Sequence, residues 1–121
     1  MIKTRLGGLL LIVLPASMAL ADGESLLQRC RHAETGLADA SAEQRSAIAY
    51  CYGLLQGVRE LNRLYERKST EQAYFCLGDQ SLSHAEAAAL VVDYLQNHPR
   101  ARLQSETVAA VRALRQRYPC P

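Results

Sequence analysis

The stretch from Glu43 to Lys68, EQRSAIAYCYGLLQGVRELNRLYERK, decides the fold. Within it Ile48, Cys51, Leu55, Val58, Leu61 and Tyr65 recur every three or four residues, which places them on one face of a single long helix. Arg45, Glu60, Arg63 and Arg67 fall on the opposite side, so the helix has one face to bury and one to wet. Gly53 and Gly57 each cost about 1 kcal/mol relative to alanine in a helix interior. The offset expected for them is close approach of a neighbouring backbone. Their GxxxG spacing does not mark a bilayer span, because the surrounding arginines and glutamates forbid one.

Shorter helical segments flank this one. On the N-terminal side, residues 24–35 (ESLLQRCRHAET) are amphipathic, with Leu26, Leu27 and Cys30 on the apolar side and Gly36 placed to stop the helix. The linker that follows offers Ser41 or Asp39 as a cap for the long helix, and it is short enough to make the two helices antiparallel neighbours. On the C-terminal side, residues 69–83 (STEQAYFCLGDQSLS) form the least regular segment, with Tyr74 and Phe75 as core plugs and Gly78-Asp79 as a turn signal. Ser83-x-x-Glu86 is a capping box that opens a helix through about Asn97, burying Ala87, Leu90, Val91, Tyr94 and Leu95 before Pro99 closes it. A last helix starts between Arg102 and Ser105, runs to about Arg117 and buries Val108, Val111, Leu114 and Tyr118. No segment alternates for long enough to make a strand. The pattern predicts an all-α fold, a small disulfide-stabilised bundle of about four helices.

Residues 1–21 read as a signal peptide. Lys3 and Arg5 precede an apolar run, Leu9 to Leu14, that is too short for a bilayer, and Ala19-Leu20-Ala21 forms an AxA cleavage site. No cysteine follows that site closely, so no lipid or other stable membrane anchor is expected. Residues 22–121 then form a single domain in the periplasm. Export removes two bases and no acid, which turns a formal charge of +2 into an even balance of 12 against 12. A neutral chain without a basic tract gives no electrostatic case for nucleic acid.

All four cysteines, Cys30, Cys51, Cys76 and Cys120, lie in the exported part, and an even count in an oxidising compartment reads as two disulfides. Zinc is the rival reading, but successive gaps of 21, 25 and 44 residues include no close ligand pair. Three connectivities are open. An up-and-down bundle favours Cys30–Cys51 with Cys76–Cys120, because each pair then falls at the same end; an orthogonal arrangement would remove that preference.

A search for chemistry returns little. His32, His84 and His98 form no HxxxH or HExxH pair, and there is no GxSxG elbow, P-loop or Rossmann glycine set. Asp79, Glu86 and Asp93 are the candidate carboxylates for acid-base work near the irregular segment, but Asp93 falls on the polar side and Glu86 is assigned to a cap, and CxxC is absent. No enzyme activity, metal or cofactor is expected. A small neutral exported helical protein suits a binding or inhibitory module, and a periplasmic chaperone nearly as well.

Four motifs in order sharpen this picture: Cys51-Tyr-Gly-Leu-Leu-Gln-Gly57-Val58, Tyr74-Phe75-Cys76, Val91-Val92-Asp93-Tyr94-Leu95 before His98-Pro99, and Ala109 through Ala113-Leu114 to Tyr118-Pro119-Cys120. Together they resemble the Rap1a/Tai family of immunity proteins over about residues 46–120. Where that family often has a proline after the middle cysteine, this chain has Leu77-Gly78-Asp79. The resemblance implies a helical, disulfide-containing periplasmic protein that protects a bacterium from peptidoglycan-cleaving amidase effectors delivered by type VI secretion. A non-immunity periplasmic binding or chaperone-like role is the alternative. For an inhibitor, the candidate partner-binding surface is residues 70–83, with Glu71, Gln72, Asp79 and Gln80 as polar contacts and Leu77 as an exposed apolar anchor. The bland reading of the same residues is a solvated connection. A homodimer through the Gly53/Gly57 surface is also open.

The exported form is expected to begin at Asp22 and to carry no free thiol. Intact mass of periplasmic protein, alkylated under denaturing conditions without reductant, checks both; a single alkylated cysteine refutes the two-disulfide reading.

Overall fold

The computed structural model describes residues 12–13 and 21–121, so the expected signal peptide lies outside the described residues except at Ile12, Val13 and Ala21. Among the described residues four α-helices form and no sheet: α1 (Gly23–Arg31), α2 (Ala42–Lys68), α3 (His84–Asn97) and α4 (Glu106–Arg117). Short 3-10 turns, His32–Thr35 and Pro99–Leu103, follow α1 and precede α4.

Each helix start has a side chain to receive its orphan amides. Asp22 accepts from the Ser25 amide at 3.0 Å, and Ser105 caps α4 by accepting from Val108. Ser41, rather than Asp39, caps α2, and Gln44 closes the capping box by returning a bond to the Ser41 amide. Ser83 and Glu86 form the box expected at α3. Each such cap contributes about 1 kcal/mol. The Glu86 carboxyl pKa is lowered, first by its bond from the Ser83 backbone. After α1 the chain tightens into its 3-10 turn and breaks at Gly36, whose φ of 75° favours glycine.

The nine-residue α1 sits at the centre. Leu26, Leu27 and Cys30 are fully buried in one cluster with Cys51 and Leu55 of α2, Val91, Val92 and Leu95 of α3, and Ala109, Ala110 and Ala113 of α4. Two ties hold it in place. Cys30 is disulfide-bonded to Cys51 at its C-terminal end. At its N-terminal end Gly23 donates to the Gln104 carbonyl at 2.7 Å, and Ala21 accepts from Glu106, an isolated antiparallel bridge between Asp22 and Ser105. Cys76–Cys120 closes the other end of the bundle. This is the connectivity that helix order favours. Loops of 21 and 44 residues correspond to about 3–4 kcal/mol each in the chain-entropy account.

A polar cluster joins three helices across this core. Glu106 is buried at the start of α4, where the helix dipole favours a carboxylate. It accepts from Arg29 of α1 at 2.8 Å and from the Tyr50 hydroxyl of α2 at 2.5 Å, while the Arg29 guanidinium lies 4.0 Å over the Tyr50 ring. The bond to Glu106 raises the Tyr50 phenol pKa above its ordinary value, with burial adding to it.

Three packing expectations are corrected. The buried stripe of α2 is Ile48, Cys51, Leu55 and Asn62, leaving Leu61 and Tyr65 exposed and Val58 half-buried. α4 buries its alanines and Leu114, not Val108 and Val111, because the shared core with Ala87 and Ala88 of α3 is built from small side chains. A Cβ on Gly53 or Gly57 would meet nothing within 4 Å. Close approach occurs instead at Gly23, where a Cβ would lie 2.5 Å from the Ala101 carbonyl oxygen and 2.8 Å from the Arg102 Cα.

Gly57→Ala should therefore stabilise the fold by up to about 1 kcal/mol, while Gly23→Ala should cost roughly 1–3 kcal/mol through overpacking against backbone. Urea unfolding of the two variants checks the opposite signs.

Candidate functional site

The connection between α2 and α3, residues 69–83, is fastened to α2 by side chains along one of its faces. Asn62, only 3% exposed, donates through Nδ2 to the Phe75 carbonyl at 2.7 Å, and its Oδ1 accepts from the Tyr74 amide at 2.8 Å and the Phe75 amide at 3.3 Å. One turn further on, Glu66 accepts from the Leu77 and Gly78 amides at 3.3 and 2.8 Å. One turn earlier, Arg59 donates to the Leu82 carbonyl, to the Leu55 carbonyl of its own helix at 3.2 Å, and to Nδ1 of His84 at 2.8 Å. An arginine only donates, so the neutral His84 ring carries its proton on Nε2. Burial, with the charge of nearby Arg63, lowers the Arg59 pKa from its ordinary value.

The strap is also anchored from within. Phe75 and Leu77 pack with Leu114 in a second small core. The Cys76 amide donates to the Tyr118 carbonyl at 2.9 Å beside the Cys76–Cys120 disulfide. Loops are ordinarily the mobile part of a domain; this one has side-chain, main-chain and covalent ties along its length.

Beside the strap lies an apolar groove of about 440 Å³ between α2 and α4. Val58, Leu61 and Tyr65 form one wall and Val108 and Val111 the other, with Tyr74 of the strap also lining it and Arg112 and Arg115 as its charged residues. Leu61 is 58% exposed and Tyr74 60%. These are largely the residues whose spacing marks them as core. The helices instead bury neighbouring faces and leave this apolar surface open.

The family model for Rap1a immunity proteins matches residues 22–120, which takes in all four helices, both disulfides, the strap and the groove. The chain belongs to the Rap1a immunity protein family. No curated protein and no solved structure matches it.

In this Rap1a-family chain the expected contact residues divide into two groups. Glu71, Gln72, Asp79 and Gln80 are all exposed at the two bends of the strap. Gln72 and Gln80 close those bends by donating their amides to the Ser69 and Leu77 carbonyls at 3.1 and 3.0 Å. Leu77 is not the exposed anchor expected of it: at 3% exposure it is a core residue. The apolar side chain that the strap does present is Tyr74, whereas Phe75 is the core plug its sequence context predicts. Asn62 was hidden from a hydrophobicity search by being polar, although its spacing of seven from Leu55 put it on the buried stripe. Among the described residues no group of three His, Cys, Asp or Glu side chains is placed to hold a metal ion. All four cysteines are in disulfides. The arrangement is suited to recognition through shape, apolar contact and hydrogen bonding.

Asn62→Ala should destabilise the fold by at least about 2 kcal/mol, since it strands the buried Phe75 amide and carbonyl. Glu66→Ala should cost less, about 1 kcal/mol, because the exposed Gly78 amide can turn to water and the bond lost at the Leu77 amide is a long one, 3.3 Å. Urea unfolding with amide exchange at Phe75 distinguishes the two.

Proposed function

We propose that the protein is exported to the periplasm and there binds and sterically inhibits a peptidoglycan amidase effector of type VI secretion. The observation that carries this reading is the family match across residues 22–120. The signal-peptide pattern of residues 1–21 supports the compartment, and two disulfides suit an oxidising one.

The physical logic is that of a preorganised inhibitor. Docking loses free energy for every loop and side chain that must be ordered, and a strap already held by Asn62, Glu66 and a disulfide has little left to lose. Glu71, Gln72, Asp79 and Gln80 then serve as rim contacts that reject wrong partners, while Tyr74 supplies the amphipathic anchor. Blocking an enzyme's groove needs no chemistry from the inhibitor. The chaperone-like alternative draws on the exposed apolar groove, but the strap beside it is held in one conformation, which favours one folded partner over many unfolded clients.

The test expresses the amidase encoded beside this gene in the periplasm, with and without this protein. Cell lysis suppressed by the protein, and a purified complex that no longer cleaves peptidoglycan, is the expected result. Failure to bind or protect against any adjacent or related amidase, together with suppressed aggregation of unrelated clients, would replace immunity by the chaperone reading.

A further inference from the structure

We propose that the groove between α2 and α4 is the seat for an amphipathic segment of the partner whose apolar side chains are flanked by carboxylates. This rests on the immunity reading above and names the surface that carries it. The α2 wall presents Val58, Leu61 and Tyr65 at three- and four-residue spacing, and the α4 wall presents Val108 and Val111 at three. A helix laid along such walls places its own i, i+3, i+4 residues between them. A volume of about 440 Å³ falls within the range, roughly 300–1,000 Å³, of clefts that enclose specific ligands.

Charge selects the occupant. Arg112 and Arg115 line the groove, no carboxylate does, and neither arginine is in an ion pair among the described residues. α4 has a single acid, Glu106, which is buried and bound to Arg29 and Tyr50. On α2, Glu66 is occupied by the strap amides and Glu60 accepts from Gln56. An apolar segment bearing Asp or Glu at its edge therefore finds two guanidinium forks free to receive it. A second copy of this chain is the poorer fit: a two-fold contact through the groove would bring the same arginines toward their own images.

The test titrates the disulfide-bonded mature protein with a helical probe peptide carrying leucines at i, i+3, i+4 and i+7 between flanking glutamates, and with its lysine-flanked counterpart. Saturable binding of the glutamate peptide is expected, weakened at least tenfold for the lysine peptide, for Arg112→Glu with Arg115→Glu, and for Leu61→Asp with Val108→Asp. The altered residues are exposed, so circular dichroism and unfolding midpoints should match the parent, and the two variant pairs are independent of each other. No binding, equal affinity for both peptides, or indifference to both variant pairs overturns the proposal. So does sedimentation showing a parent dimer that Leu61→Asp with Val108→Asp dissociates, since the groove would then belong to self-association. A protection assay separates this failure from that of the immunity reading. If the parent and both variant pairs protect equally, immunity stands and the groove inference falls. If the parent protects against no amidase yet binds the glutamate peptide as described, immunity falls and the groove assignment stands.

Discussion

The burial of α1 against all three of the other helices is the constraint from which the rest of the structure follows. A nine-residue helix is too short to persist in water on its own. Its stability comes from Leu26 and Leu27, adjacent residues that point in different directions and are both fully buried, each side chain contributing about 1.5–3 kcal/mol. To surround such a helix, α2, α3 and α4 must come close, and α3 and α4 do so through alanines. The same crowding explains Gly23. The first turn of α1 runs against the Ala101–Arg102 backbone at a distance that excludes even a methyl group. Glu106 is buried for the same reason, and its charge is tolerable because Arg29, Tyr50 and the start of α4 all face it.

Because α1 occupies the N-terminal half of α2, the far half must find other partners. Part of its surface is covered by the strap, through Arg59, Asn62 and Glu66 at successive turns of one face. Another part is left as the wall of the groove. An exposed apolar patch weakens a fold and invites association. The Cys76–Cys120 link and the small core of Phe75, Leu77 and Leu114 offset that weakness at the end of the molecule where it arises.

Helix number and order, the capping box of α3 and the favoured disulfide pairing were legible in the sequence because each depends on local chemistry or on chain order. Ser83 and Glu86 announce a helix start whatever packs nearby. The choice of buried face was less legible. Periodicity marks an apolar stripe, but α2 and α4 carry apolar residues over a wider arc than one interface can cover. Which part is buried depends on partners distant in sequence, so Leu61, Tyr65, Val108 and Val111 read as core and are found in the groove wall. Gly57 failed for a related reason: spacing shows where a close approach is permitted, not whether a neighbour is there. In the candidate site, the polar residues of the strap were correctly read as exposed. Leu77 and Tyr74 exchanged places because the strap's direction is set by Asn62 and the disulfide, and a chain without regular structure has no period from which to infer its facing.

The apolar stripes that misled the reading of the core also bear on what the protein does. Had Val58, Leu61, Val108 and Val111 been needed only for stability, closer packing of α2 against α4 would have buried them. The strap instead brings Tyr74 to the groove, and α4 adds Arg112 and Arg115 to its lining, where a bare packing surface would gain nothing from charge. Apolar walls supply affinity without direction, whereas unpaired guanidinium groups supply direction and faster encounter with an acidic partner. The groove proposed above as the partner's seat combines both terms in surface that the core did not require.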